Sequence, residues 1–202
     1  MDLQSQFGHI DIYLFDQLLR GRIAPGMRVL DAGCGGGRNL VYLLREGVDV
    51  HAVDMDPQAV AYVGEMAEAL APRLLREQIR LGHVEALPWP DAWFDVVISN
   101  AVLHFARDDA HFDAMVRDMW RVLAPGGMLF ARLASSIGMS QALEPLGDGR
   151  YRLPDGSERY VVDEDRLMES TSALGGTLLD PLKTTVVQGM RCMTTWVVRR
   201  DV

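Results

Sequence analysis

Short apolar runs alternate with stretches in which apolar residues recur every three or four positions. "RVLDAG" and "VDVHAVD" read as strands, separated by "NLVYLLREG", a helix closed at Gly47. Asp56 then caps a helix with Pro57 at its first position, where the missing proline N–H would have no partner anyway; that helix runs to about Ala71. "IRLGHVEALP" supplies a third strand and a turn. "FDVVISN" supplies a fourth, apolar enough to be buried on both faces. Asp108 and Asp109 open a helix whose Phe112, Met115, Val116, Met119, Trp120 and Leu123 fall on one stripe, "APGG" ends it, and "MLFARLA" is a fifth strand. Strands alternating with helices in this way predict an α/β fold: a doubly wound, mostly parallel sheet with helices on both faces.

The last third changes character. "EPLGDGRYRLPDGSERYVVDED" is rich in turn residues and predicts an inserted loop or short hairpin at about 141–162, followed by a helix from about Asp163 to Leu174. "GTLLDPLKTTVV" and "RCMTTWVVRR" then read as two strands joined at "QGM", an antiparallel C-terminal hairpin added to the parallel sheet. There is no internal repeat or linker, and 202 residues suit one domain over 1–202.

Charge narrows the partners. The net charge of −8 comes with a single lysine, Lys183, and arginines scattered among acids, which argues against nucleic acid as the main partner. No apolar run approaches the roughly 20 residues that span a bilayer. The acidic start "MDLQSQFGHIDIYLF" lacks the basic residues of a secretory signal. Cys34 and Cys192 stand far apart, so neither a disulfide framework nor a metal site is expected, and a reducing cytoplasm is.

The candidate chemistry sits at the ends of the first two strands. In an open parallel sheet, ligands bind outside the carboxyl ends of the strands. Gly33, Gly35, Gly36 and Gly37 fall there, and glycine lets the backbone turn sharply and approach a ligand closely. Asp54 follows 21 residues after Gly33, a spacing at which a carboxylate can accept from both hydroxyls of a ribose. A dinucleotide fingerprint G-x-G-x-x-G fails, because Arg38 stands where the third glycine belongs. A nucleotide (NAD(P))-dependent oxidoreductase and a non-catalytic cofactor-binding domain remain the alternatives at this point.

"VLDAGCGGGRN", "VHAVDMDPQAV", "GHVEALPWPDAWFDVVISNAVLHF" and "RVLAPGGMLFARL", in this order, resemble a class I S-adenosylmethionine-dependent methyltransferase over roughly residues 27 to 133. The "GRN" ending and following "LVYL" are similar to its tellurite-resistance-like small-molecule group. The resemblance implies a Rossmann-like seven-stranded sheet, S-adenosyl-L-methionine as cofactor, and in-line methyl transfer to a small-molecule acceptor. It places Asp31, Gly33, Cys34 and Gly35 at the cofactor's amino-acid end, Asn39 among the further cofactor-binding residues, Asp54 at the ribose, and Met55 on the adenine face. Val84 and Glu85 would line the adenine edge, and Ser99 and Asn100 the methionyl side. Where many members carry aspartate in Gly-Asp-Ala-Glu, this chain has His83, which cannot accept as a carboxylate does.

The acceptor side rests on residues near the carboxyl edge that the cofactor contacts leave unused. His104, just past the fourth strand, is the candidate catalytic residue because histidine titrates near working pH. His9, Tyr13, His104, Arg132 and Ser135 are the substrate candidates. Against them stand plainer roles: Ile12, Phe15 and Leu18 packing a helix, His104 bonding a backbone carbonyl, and Arg132 pairing with one of the many acids. The 141–162 insertion and the "MTTW" strand would shape either substrate choice or a subunit interface.

Overall fold

The computed structural model describes residues 2–139 and 142–202, so the first residue of the expected 141–162 insertion, Gln141, lies outside the described residues. The stretch read as the first strand forms β1 (Arg28–Ala32), apart from Arg28 buried throughout. It pairs in parallel with β2 (Asp49–Asp54) on one side, and β2 in turn with β3 (Ile79–Leu81). On its other side lies β4 (Phe94–Asn100), also parallel. The chain order therefore reverses between β1 and β4, which opens a crevice at their carboxyl ends.

β5 (Leu123–Ala134) pairs in parallel with β4 but steps in register, from Phe94↔Leu123 to Val96↔Met128. "APGG" is thus a bulge within β5 rather than a loop before it. Gly126 turns at φ 80°, and a Cβ on Gly127 would meet the Ala124 carbonyl oxygen at 2.8 Å.

Two helical layers cover the sheet because alternate strand residues point to opposite faces. On one face Leu30 and Val97 pack with Phe112, Val116 and Met119 of α5 (Asp109–Val122), the helix whose apolar stripe the sequence displays. On the other, Val29 and Ile98 pack with Leu14, Leu43 and Val63. These come from three helices preceding or following the first two strands. A short α1 (Leu3–Phe7) leads into α2 (Ile12–Leu19); α3 (Val41–Arg45) and α4 (Pro57–Leu70) complete the layer. Ile12 is exposed, so α2 buries Leu14 and Gln17 instead.

The insertion is a three-stranded antiparallel sheet of β6 (Glu144–Gly147), β7 (Arg150–Arg152) and β8 (Glu158–Tyr160). Tyr160 anchors it: its ring stacks on Phe112 at 5.0 Å, and its hydroxyl donates to Asp109 at 2.5 Å. After α6 (Glu164–Ala173), the expected penultimate strand is broken in two. β9 (Gly176–Leu178) and β10 (Lys183–Val187) lie along the same edge of β11 (Arg191–Arg200), whose other edge pairs antiparallel with β5. Pro181, which has no N–H to give the ladder, sits in the break, and Arg22 grips the buried Asp180 there at 2.8 Å. The main sheet consequently has eight strands, seven in the order β10-β11-β5-β4-β1-β2-β3 and β9 beside them.

Candidate active site

A cavity of about 720 Å³ occupies the crevice where the strand order reverses. That volume suits a nucleoside-sized ligand, since small-molecule sites span roughly 300–1,000 Å³. Its floor is the glycine loop. Gly33 turns at φ 84°, and a Cβ there would lie 2.5 Å from Val102 Cγ2, so only glycine fits. Its backbone N–H and that of Cys34 both donate to the Val53 carbonyl, at 2.8 and 3.0 Å, which ties the loop to β2. Gly35 and Gly36 face the open cavity, with nothing within 4 Å of where a Cβ would stand.

Asp54, at the end of β2, closes one side. One carboxylate oxygen accepts from the Gly35 N–H at 2.8 Å and the other from the Asp56 N–H at 2.9 Å. Each oxygen keeps acceptor capacity, which suits a pair of vicinal hydroxyls. Met55, 69 % exposed beside it, offers an apolar face without a protein partner. Val84 and Glu85, just past the neighbouring β3, line the cavity too. Burial opposes ionisation of Glu85, but its own backbone hydrogen bond and the neighbouring His111 hold the carboxyl below its usual range. His111 Nε2 lies 3.2 Å from Glu85, and its Nδ1 accepts from the Arg107 backbone N–H at 3.1 Å.

Of the residues expected at a cofactor, Gly33, Cys34, Gly35, Asn39, Asp54, Met55, Val84, Glu85 and Asn100 all line this cavity. Asp31 and Ser99 do not; they lie beneath it, fully buried, with Asp31 Oδ2 and Ser99 Oγ unpartnered. Burial, reinforced by Asp54 and opposed by Arg38, raises the Asp31 carboxyl to about 7. Asn100 accepts from Arg38 at 2.7 Å, while its own Nδ2 is buried without a partner. Asn39 accepts from the backbone N–H of Asp11 at 3.0 Å and so docks α2 on the glycine loop. Burial, with Asp31 and Asp54 nearby, pushes the Cys34 thiol far up, which makes it no nucleophile.

The acceptor candidates do not reach this cavity. His9 is exposed and touches Gln4, Tyr13 bonds Thr185 at 2.6 Å, and Ser135 is buried against Cys192 and Thr194. Arg132 pairs with Asp11 at 2.8 Å, the plainer of its two expected roles. It lines a second cavity together with His104. Burial, and then Arg159, lowers His104 to about 4, so it is neutral at pH 7 and a weak base.

Sequence reasoning missed Phe105, Arg107, His111 and Met115 on the cavity wall. Met115 was absorbed into the apolar stripe of α5. The available signal was positional: Phe105 and Arg107 closely follow the carboxyl end of β4, the edge where ligands bind, and His111 and Met115 lie on the first two turns of α5 beyond them.

Comparison with known proteins adds three findings. Residues 30–131 match the family described as "Methyltransferase domain". A malonyl-[acyl-carrier protein] O-methyltransferase of Serratia marcescens is 33% identical over 142 residues, 70% of this chain and 49% of its own. A ubiquinone biosynthesis O-methyltransferase of Methylocella silvestris is 37% identical over 118 residues, 56% of this chain and 44% of its own. The chain thus spans about half the length of these curated relatives. Among solved structures, the 1,6-didemethyltoxoflavin-N1-methyltransferase of Burkholderia thailandensis superposes with a TM-score of 0.68 at 20% identity, covering 100% of this chain and 82% of that one. It was solved with 1,6-didemethyltoxoflavin and S-adenosylhomocysteine bound, and at that identity the likeness speaks for the fold. No helix among the described residues is long and apolar enough to cross a membrane.

Proposed function

Because this chain belongs to the methyltransferase-domain family, we propose that it transfers a methyl group from S-adenosylmethionine to a small-molecule acceptor. The single observation that carries the reading is the bare glycine loop bonded to Asp54, side by side on the wall of the 720 Å³ cavity. When bound, the cofactor supplies an electrophilic methyl group on a sulfonium. The protein's share is to hold the two reactants in line, a contribution of roughly 7–11 kcal/mol in well-oriented cases.

The residues present fit that ligand. Asp54 would accept from the ribose hydroxyls, with Met55 against one face of the adenine and Val84 and Glu85 at its edge. Gly33 and Gly35 let the backbone approach the amino-acid end. Beneath it the unpartnered oxygens of Asp31 and Ser99, and the unpartnered Asn100 Nδ2, supply the polarity that a zwitterionic end requires. An oxyanion or thiolate acceptor needs no general base, and neutral His104 would not serve as a strong one.

The dinucleotide alternative loses ground on Arg38. At the third-glycine position its guanidinium reaches over the loop to Asn100 and towards Asp11. The net charge of −8 supports a small-molecule rather than a nucleic-acid partner. The two free, buried thiols, Cys34 and Cys192, suit a reducing cytoplasm. Radiolabelled methyl transfer from the cofactor to a panel of thiols, carboxylates and small metabolites tests the reading: label should move to at least one small acceptor. Label found only on added RNA or DNA would contradict it.

A further inference from the structure

A second cavity, of about 290 Å³, adjoins the first across Arg38 and Ala101, which line both. Part of its wall comes from outside the four motifs: the β7–β8 turn with Asp155, β8 with Arg159, and the start of β11 with Arg191 and Met193. Arg132 of β5 and His104 complete it. In a chain of net charge −8, this one concavity gathers the guanidiniums of Arg38, Arg132, Arg159 and Arg191.

Their charges are unevenly spent. Arg132 and Arg38 share the buried carboxylate of Asp11, at 2.8 and 3.6 Å. Arg132 Nε is buried with no partner. Among the described residues Arg159 and Arg191 form no ion pair. The one carboxylate on the wall, the exposed Asp155, accepts from the Ser157 N–H at 2.9 Å and hydroxyl at 2.6 Å through one oxygen. These bonds, with Arg159 and Arg191 nearby, hold it below its usual range, so it offsets part of their charge without pairing with either. Arg159 is also positioned in advance. It donates to the Glu158 carbonyl at 2.8 Å, and its guanidinium lies over the Phe105 ring at 5.0 Å, Phe105 itself being part of the first cavity's wall. Guanidiniums fixed in this way suit a planar or tetrahedral oxyanion, which takes paired N–H donors.

We infer that the second cavity binds an oxyanion group, a carboxylate or phosphate, of the methyl acceptor, with Arg159 and Arg191 as its principal grips. The assignment of that anion to the acceptor rests on the methyltransferase reading. Ala101 marks the join: it follows β4 in the left-handed region at φ 64°, and its N–H donates to the Arg132 carbonyl at 2.8 Å. An acceptor gripped beyond Ala101 would point its remaining atoms back towards the first cavity.

The test is titration calorimetry on the whole chain saturated with S-adenosylhomocysteine, using malonate, inorganic phosphate and neutral malonamide as probes. One of the two oxyanions should bind saturably and malonamide should not; which one binds separates a carboxylate site from a phosphate site. The double variant Arg159→Gln/Arg191→Gln should weaken that binding roughly tenfold or more, as loss of charge-assisted hydrogen bonds does, with S-adenosylhomocysteine affinity kept within about twofold. Arg191→Lys, which keeps the charge, should recover part of it. Oxyanion binding that the double variant leaves unchanged, or no binding of either oxyanion, overturns the inference while the methyltransferase reading stands. Failure of S-adenosylhomocysteine to bind overturns that reading instead, and the oxyanion titrations, repeated without it, still decide whether the arginines form an anion site.

Discussion

The carboxylate of Asp54 is the hinge post of the glycine loop: it accepts the Gly35 N–H at 2.8 Å through one oxygen and the Asp56 N–H at 2.9 Å through the other. One side chain therefore both shapes the loop and faces the cavity. Asp54→Ala should weaken S-adenosylhomocysteine roughly 10- to 100-fold, the scale of lost hydrogen bonds to a charged group, with the far-UV circular dichroism retained. Calorimetric affinity equal to wild type would remove Asp54 from the ribose site.

Gly33 and Gly35 should separate under the same substitution. Both have positive φ, but a Cβ on Gly33 collides with Val102 at 2.5 Å, whereas one on Gly35 meets only the cavity. Gly33→Ala should lower folding stability by about 2–5 kcal/mol, the left-handed backbone cost plus that of overpacking. Gly35→Ala should cost about 1–2 kcal/mol for its left-handed backbone, and its larger effect should fall on cofactor affinity. Urea unfolding paired with calorimetry distinguishes them; equal stability losses would contradict the placement of Val102 against the loop.

The buried Asp31 carboxyl, raised to about 7 by its burial, should make cofactor binding pH-dependent. In the free protein the folded state keeps a proton that the unfolded chain releases above its ordinary value of 3.8. This group's contribution to stability is therefore full below 3.8 and is lost as pH rises to about 7. An incoming ammonium group favours the ionised form, so binding should release a proton. S-adenosylhomocysteine affinity should rise between pH 6 and 8 in wild type and stay flat in Asp31→Asn. A flat wild-type profile would show that the ammonium does not sense Asp31.

His104 acts in the opposite sense. Its folded value of about 4 lies below the ordinary 6.5, so the unfolded chain binds the extra proton between the two. Stability should be full above 6.5 and fall as pH drops towards 4. His104→Gln should flatten part of that loss in urea unfolding at pH 7, 5.5 and 4.5. Parallel curves for the two proteins would mean that His104 is not held neutral.

The parallel core of this fold was legible because each element carries its own signal. Asp56–Pro57 marks a helix start, "FDVVISN" is apolar on both faces, and the stripe from Phe112 to Trp120 has one period. The wall of the first cavity was legible for the same reason: Gly33, Gly35 and Asp54 are fixed by strand ends and spacing. The second cavity was not. Arg159 and Arg191 lie 32 residues apart on different strands, and only the docking of the insertion through Tyr160 brings them to one cavity. The contacts of Tyr13 and Ser135 were hidden for a related reason: their partners, Thr185 and Thr194, come from strands whose place in the sheet no local pattern reveals.

The most direct measurement of the central claim is thermal unfolding of the whole chain with saturating S-adenosylhomocysteine and, separately, NADH. A ligand that binds the folded state raises the midpoint by mass action. S-adenosylhomocysteine should raise it in wild type and far less in Asp54→Ala, while NADH leaves it unmoved. A larger shift with NADH than with S-adenosylhomocysteine would contradict the account.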